Sequence, residues 1–241
     1  MDTPVRILII LLTVFTASAI QAASGFGFGI FVMMVFPYFF PTATAAAVST
    51  LLSILSCFYI TVKLRRHIRF RHIVLPLISY FFISYLCITF SAASSPMILK
   101  RLLAAALIIL SVYFIFFNGR IKLRPTPAAG LAAGAVSGLL GGLFSISGPP
   151  MVLYLLSISQ DRDAYLANIQ AFFLITNLYT TLVRTTQGLI HTETLGWWAL
   201  LAPAMLGGLA LGQTLFRRLD AAKLQRLIYA VMAVSGIIFL F

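Results

Sequence analysis

The chain has 241 residues, 61% of them hydrophobic and only 9% charged, and its 17 Lys and Arg against 5 Asp and Glu give a formal net charge of +12. With a mean hydropathy of +1.04, no water-soluble globule of this size could hide its apolar surface. Soluble, disordered, fibrous and disulfide-stapled classes are therefore excluded, and an all-α polytopic membrane protein is expected.

Stretches free of charge mark the spans, each needing about 20 residues. The first region, 5–40, is too long for one ordinary crossing and short for two. It is broken at Ser24-Gly25-Phe26-Gly27-Phe28-Gly29. Pro37 and Pro41 bracket a turn, so 42–62 reads as one helix. The stretches 72–99 and 102–119 give one helix each. Region 127–159 repeats the pattern of the first, broken at Ser145-Ile146-Ser147-Gly148-Pro149-Pro150. Further helices follow in 164–183, in 194–216 and from about Ala221 to the end. Gly and Pro interrupt helices because one lacks backbone restraint and the other lacks an N–H donor.

The two broken regions hold matching places, each followed by three helices. Leu99-Lys100-Arg101-Leu102 matches Leu224-Gln225-Arg226-Leu227, and Gly29 matches Gly148. The chain thus reads as a duplication, 1–118 and 125–241, joined by a basic linker at 119–124. If each broken region goes in and comes back, the halves are inverted. One side then holds 13 of the Lys and Arg and the other holds 4. Eight simple spans would split them 10 against 7. The first division fits the excess of cations in cytoplasmic loops. The expected fold is two inverted repeats, each an interrupted helical hairpin plus three transmembrane helices, with both termini outside the cytoplasm. Arg6, the apolar run 7–15 and Ala17-Ser18-Ala19 also fit a secretory signal, but the matching segment 127–142 cannot be one. The basic clusters suit anionic lipid headgroups rather than nucleic acid. Cys57 and Cys87 sit within apolar runs as small core residues.

Gly138-Leu-Leu-Gly-Gly-Leu-Phe-Ser-Ile-Ser-Gly-Pro-Pro-Met-Val-Leu-Tyr-Leu-Leu resembles the second-repeat signature of the TauE/SafE sulfite-exporter family, which is grouped with sulfonate permeases. The run from Ser24 to Gly29 resembles the first-repeat glycine motif, in a more aromatic form. Ser145 or Ser147 stands where the family often has a further glycine. The resemblance covers essentially the whole chain. It implies a transporter of small sulfur-containing or organic anions, in a bacterial inner (plasma) membrane.

The residues themselves point to a site at the two breaks. Ser147-Gly148-Pro149-Pro150 reads as a helix start, because Pro is tolerated in a first turn. A half-helix starting at membrane depth aims its positive dipole end at the midplane, which suits an anion. Irregular backbone at that depth must be buried or line a cavity. Paired interrupted helices in repeated positions are a pointer to a transport site. The expected substrate-binding set is Ser24, Gly25, Gly27, Gly29, Ser145, Ser147, Gly148 and Pro149, with Gln170, Asn177, Thr181 and Arg184 added from the helix of 164–189. Those last four share a face. They either line the path or make interhelical hydrogen bonds, with Arg184 reaching for the interface. Asn168, on the opposite side, reads as structural. Ser49, Ser53 and Ser56 read as packing contacts, as do the stripes Gly130, Gly134, Gly138, Gly142 and Ala204, Gly208, Gly212.

Asp2, Asp161, Asp163, Glu193 and Asp220 all fall at chain ends or loop edges. No mid-span carboxylate is available for a proton relay, and no catalytic or metal-binding motif is present. His67 and His72 lie among cations and do not suggest a metal. The reading is a secondary transporter exporting a small anion, without cofactor, metal or enzymatic activity. A proton-coupled anion importer and a non-transporting accessory protein are the alternatives. A homo-oligomer is left open.

Overall fold

The computed structural model describes residues 3–117, 126–215 and 232–239. The linker at 119–124, the basic loop at 217–226 and the motif at 224–227 lie outside these residues. Every regular element described is helical, and seven helices are long and apolar enough to cross a membrane.

Each broken region is a long helix, a break and a short returning helix. In the first, α1 (Thr3–Ser24) ends at Gly25 and Gly27, whose φ values of 82° and 102° are left-handed. Glycine takes that conformation without a steric cost. The short α2 (Phe28–Val35) follows, then a 3-10 turn at Phe36–Tyr38 that carries Pro37. Arg6 Nη2 donates to the Phe39 carbonyl at 2.6 Å, and its guanidinium lies 5.6 Å from the Phe40 ring centre. The chain has therefore doubled back beside its own start. In the second region, Thr126 caps α6 (Pro127–Phe144) by accepting from the Ala129 N–H. Ser145 closes α6 in a left-handed conformation at φ 59°, and α7 (Gly148–Ile158) returns. A Cβ at Gly130 would lie 2.9 Å from the Tyr154 hydroxyl, so α7 runs back along α6. Gly130 thus makes room for a ring within the hairpin, not for another helix.

The remaining helices are α3 (Thr42–Lys63), α4 (Val74–Ala93), α5 (Pro96–Phe117), α8 (Arg162–Thr186), α9 (Thr192–Leu215) and α10 (232–239). Two starts differ from the charge pattern. Ser95 Oγ accepts from the Ile98 N–H at 3.4 Å, so α5 begins before Lys100 and Arg101. Asp161 accepts from the Ala164 N–H at 2.7 Å and caps α8 ahead of Arg162. Capping, not charge, sets both boundaries.

The other glycines of the two stripes bring helix backbones together. A Cβ at Gly138 would lie 2.8 Å from the Tyr80 carbonyl, and Gly134 presses on the Pro76 carbonyl, so α6 lies along α4. Gly208 presses on the Phe15 carbonyl and Gly212 meets Ala19, so α9 lies along α1. Each hairpin therefore packs against a helix of the other half. α3 and α8, the most buried of the long helices, pack against each other. Apolar side chains such as Phe82 and Ile109, each 67% exposed, cover the outside as a lipid-facing surface requires.

At one end of the molecule, Arg69 of the 64–73 loop donates its N–H to Asn168 Oδ1 at 2.8 Å and its Nη2 to Gln160 Oε1 at 3.1 Å. Asn168 is thus a loop anchor. At the other end, Arg6 and Lys100 lie over the rings of Trp197 and Phe239.

Candidate functional site

The two breaks meet. Gly29 at the start of α2 touches the Ser145 carbonyl so closely that no Cβ would fit. Thr50 of α3 donates to Ser145 Oγ at 3.0 Å. Across the junction, a Cβ at Gly148 would lie 3.3 Å from Phe26 Cδ2 and 3.7 Å from Phe173 Cζ. Between these elements lies a pocket walled by both breaks, by α1, α3 and α8.

The walls are mixed in character. Gln21, Ser53, Ser145, Ser147 and Asn177 bring polar groups, while Phe26, Phe28, Ile30, Ile146 and Phe173 bring apolar ones. Gly27, Gly29 and Gly148 expose backbone. α7 begins at Gly148 as the sequence predicts, but Pro149 and Pro150 carry no amide hydrogen. That leaves the amides of Ser147 and Gly148 as the donors at this helix start.

Three helices converge on Cys57. Gln21 Nε2 of α1 lies 3.7 Å from Cys57 Sγ, and Asn177 Nδ2 of α8 lies 3.9 Å from it. Ser56 Oγ donates to Gln21 Oε1 at 3.0 Å and fixes that amide with its N–H groups toward the sulfur. Sulfur is a weak acceptor, so both amides keep donor capacity at the pocket wall. No described carboxylate comes near, because Asp161, Asp163 and Glu193 are all exposed.

Of the sequence-predicted residues, Gly27, Gly29, Ser145, Ser147, Gly148 and Asn177 line the pocket. The other six do not. Ser24 Oγ donates to the carbonyls of Ile20 and Phe26 and closes the first break. Gln170 is fully buried, and its Nε2 donates to the Gly25 carbonyl at 2.6 Å. Pro149 is buried in the first turn of α7. Thr181 is half-buried, with no partner for its hydroxyl among the described residues. Arg184 does not reach for the interface. It is 0% exposed, and its Nη2 donates to the carbonyls of Gly142 at 2.7 Å and Gly141 at 3.4 Å. The Gly141 carbonyl also accepts from the Ser145 N–H at 3.0 Å, whereas the Gly142 carbonyl lies in the last turn of α6, where helical donors run out and a buried cation is a natural partner.

Sequence reasoning missed Gln21, Cys57, Ser53 and the three phenylalanines as wall residues. Gln21 carried a signal: it is an amide in an otherwise apolar helix, four residues before the break. Cys57 carried none, since a buried thiol and a core residue read alike.

A family model described as sulfite exporter TauE/SafE matches residues 10–239. No curated protein and no solved structure matches the chain.

Proposed function

The chain belongs to the sulfite exporter TauE/SafE family, and on that premise we propose that the pocket between the two breaks is the substrate site of a secondary transporter exporting a small organosulfonate, sulfite or a related organic anion. The family is one of membrane transporters, and the chain is an integral multi-pass membrane protein. The observation that carries the reading is the meeting of two interrupted helices in one pocket whose polar lining offers hydroxyl and amide donors and no described carboxylate. In this reading Ser53, Ser147 and the amides of Gln21 and Asn177, which line the pocket, hold an oxyanion. Phe26, Phe28 and Phe173 suit the short apolar tail of an organosulfonate.

We also propose that the halves are inverted repeats. α1 starts beside the start of α9, at the Arg6 and Trp197 end, and α6 starts beside the start of α4, next to the 64–73 loop. Two hairpins entering from opposite faces and meeting at their breaks would leave the pocket reachable from either side in turn. The loop end carries Lys63, Arg65, Arg66, Arg69, Arg71 and Arg162, which makes it the cytoplasmic face and a binding surface for anionic lipid headgroups. A bacterial inner membrane is the setting this implies. A cytoplasm negative by 100 mV favours anion exit by about 2.3 kcal/mol per charge. Export therefore needs no proton-carrying carboxylate at the pocket.

The test is flux in proteoliposomes, screened over sulfite, ethanesulfonate and acetate. Downhill efflux should appear without a proton gradient, and Asn177→Leu should cut it at least about tenfold, the equivalent of a lost hydrogen bond to a charged group. Flux that needs a proton gradient would replace export by proton-coupled import. Absence of flux for every anion would leave the accessory-protein reading.

A further inference from the structure

The two breaks present their glycines to the pocket differently. At Gly29 the place where a side chain would start is filled by the Ser145 carbonyl. At Gly148 that place is open. A carbon set there would lie 3.3 Å from Phe26 Cδ2, 3.4 Å from Phe26 Cβ and 3.7 Å from Phe173 Cζ. All three residues line the pocket. Carbon atoms rest about 3.5–4.0 Å apart, so the second break carries a notch about one carbon wide. Gly148 is its floor, and two phenyl groups are its walls.

The walls are backed. Phe26 stacks on Phe114 of α5 with ring centres 6.3 Å apart, and Phe173, itself buried, packs edge-on against Phe172 at 6.0 Å. Such rings can tilt by tenths of an ångström, but a retreat by a whole carbon would open the packed core behind them. The polar groups lie apart from the notch. Asn177 shares a face of α8 with Phe173 but stands one turn further on, about 6 Å along the axis, where its amide and that of Gln21 approach Cys57. An oxyanion set between phenyl rings would give up its hydration for little return, whereas a methyl group gains by leaving water. A ligand with one charged end and one short carbon end is thus oriented, head toward Asn177 and tail toward Gly148.

We infer that the notch over Gly148 is a tail subsite, and that Phe26 and Phe173 are specificity-determining residues that admit a sulfonate tail of about two carbons and exclude longer chains. This rests on the proposed substrate pocket. The turn between Asn177 and Phe173 is spanned by a sulfonate head with one carbon outside the notch and one within it. A further carbon meets a ring. The missing side chain of Gly148 is the space that the tail takes.

The experiment measures apparent Kd by ligand-dependent thermal stabilisation of the purified full-length protein. The probes are methanesulfonate, ethanesulfonate and butanesulfonate, which share one head. The native protein should bind ethanesulfonate about fourfold more tightly than methanesulfonate, the effect of one buried CH₂. Butanesulfonate should bind roughly tenfold more weakly than ethanesulfonate, because its added carbons must displace a ring. Gly148→Ala puts a methyl group in the notch and should erase the advantage of ethanesulfonate over methanesulfonate. Phe173→Ala removes one wall and should place butanesulfonate ahead of ethanesulfonate. Butanesulfonate binding to the native protein as tightly as ethanesulfonate, or an ethanesulfonate advantage intact in Gly148→Ala, would overturn the inference. A size order unchanged in folded Phe173→Ala would do so too. If Phe173→Ala does not fold, the native series and Gly148→Ala decide. Sulfonate binding that depends on Asn177 but ignores chain length sinks this inference alone. No sulfonate binding at all sinks the pocket reading with it.

Discussion

Gly29 and Gly148 hold matching places in the two broken regions, yet the structure assigns them different sensitivities. At Gly29 an added Cβ would overlap the Ser145 carbonyl, which is backbone and cannot rotate away. At Gly148 it would meet the Phe26 ring at 3.3 Å, and a ring can tilt. Over-packing costs about 1–3 kcal/mol where neighbours yield, so Gly29→Ala belongs at the upper end or beyond. At roughly 2–4 °C per kcal/mol for a chain of this length, Tm should fall by about 6–12 °C. Gly148→Ala should shift it by no more than about 3 °C. Gly148→Leu adds a branched chain between Phe26 and Phe173 and should abolish anion-dependent stabilisation while most protein stays folded. The assay is thermal unfolding of purified protein with and without ethanesulfonate. Equal Tm values for Gly29→Ala and Gly148→Ala would refute the reasoning, because the meeting of the breaks would not be as described.

Two further outcomes follow from other contacts. Gln170→Met removes the only side-chain donor described for the Gly25 carbonyl and should cost about 1–3 kcal/mol, read as a lower Tm and faster amide exchange at residues 24–28. Accessibility tags in the 64–73 loop should report the cytoplasm and tags at Ser94–Ser95 the opposite side. Labelling of both from one side would remove the proposed topology.

Much of this arrangement was legible before the structure. Ser147-Gly148-Pro149-Pro150 announced a helix start because the missing N–H of Pro costs nothing in a first turn, and α7 begins there. The Gly134, Gly138 and Gly142 spacing announced close backbone approach, and α4 supplies the partner. What periodicity could not give was the partner of each polar side chain. Gln170, Asn177 and Arg184 share a face, but a face says nothing of what lies opposite at each level. Nor could it show that Cys57 meets amides from two other helices, since those contacts join residues 36 and 120 positions apart.

The polar face of α8 has a division of labour that follows from its length. Gln170 and Arg184 are 14 positions apart, about 21 Å along the axis, and Asn177 stands halfway. The first ties α8 to the break of one hairpin, and the last ties it to the C-terminal carbonyls of the other. Only the middle residue faces the pocket. α3 does the same from the opposite wall, with Thr50 bonded to Ser145 and Ser56 to Gln21. Each central helix therefore holds both hairpins at once. On the proposed transport cycle, a motion that opens the pocket to one side would break one tie of each helix and keep the other. The ties to Gly25 and to Gly142 are the ones that would exchange. They are chemically unequal, a neutral amide at one end and a cation at the other. Opening past Arg184 would free a charged donor beside the path of an anion, while opening past Gln170 would not. On that proposed cycle, the two access states should therefore differ in anion affinity.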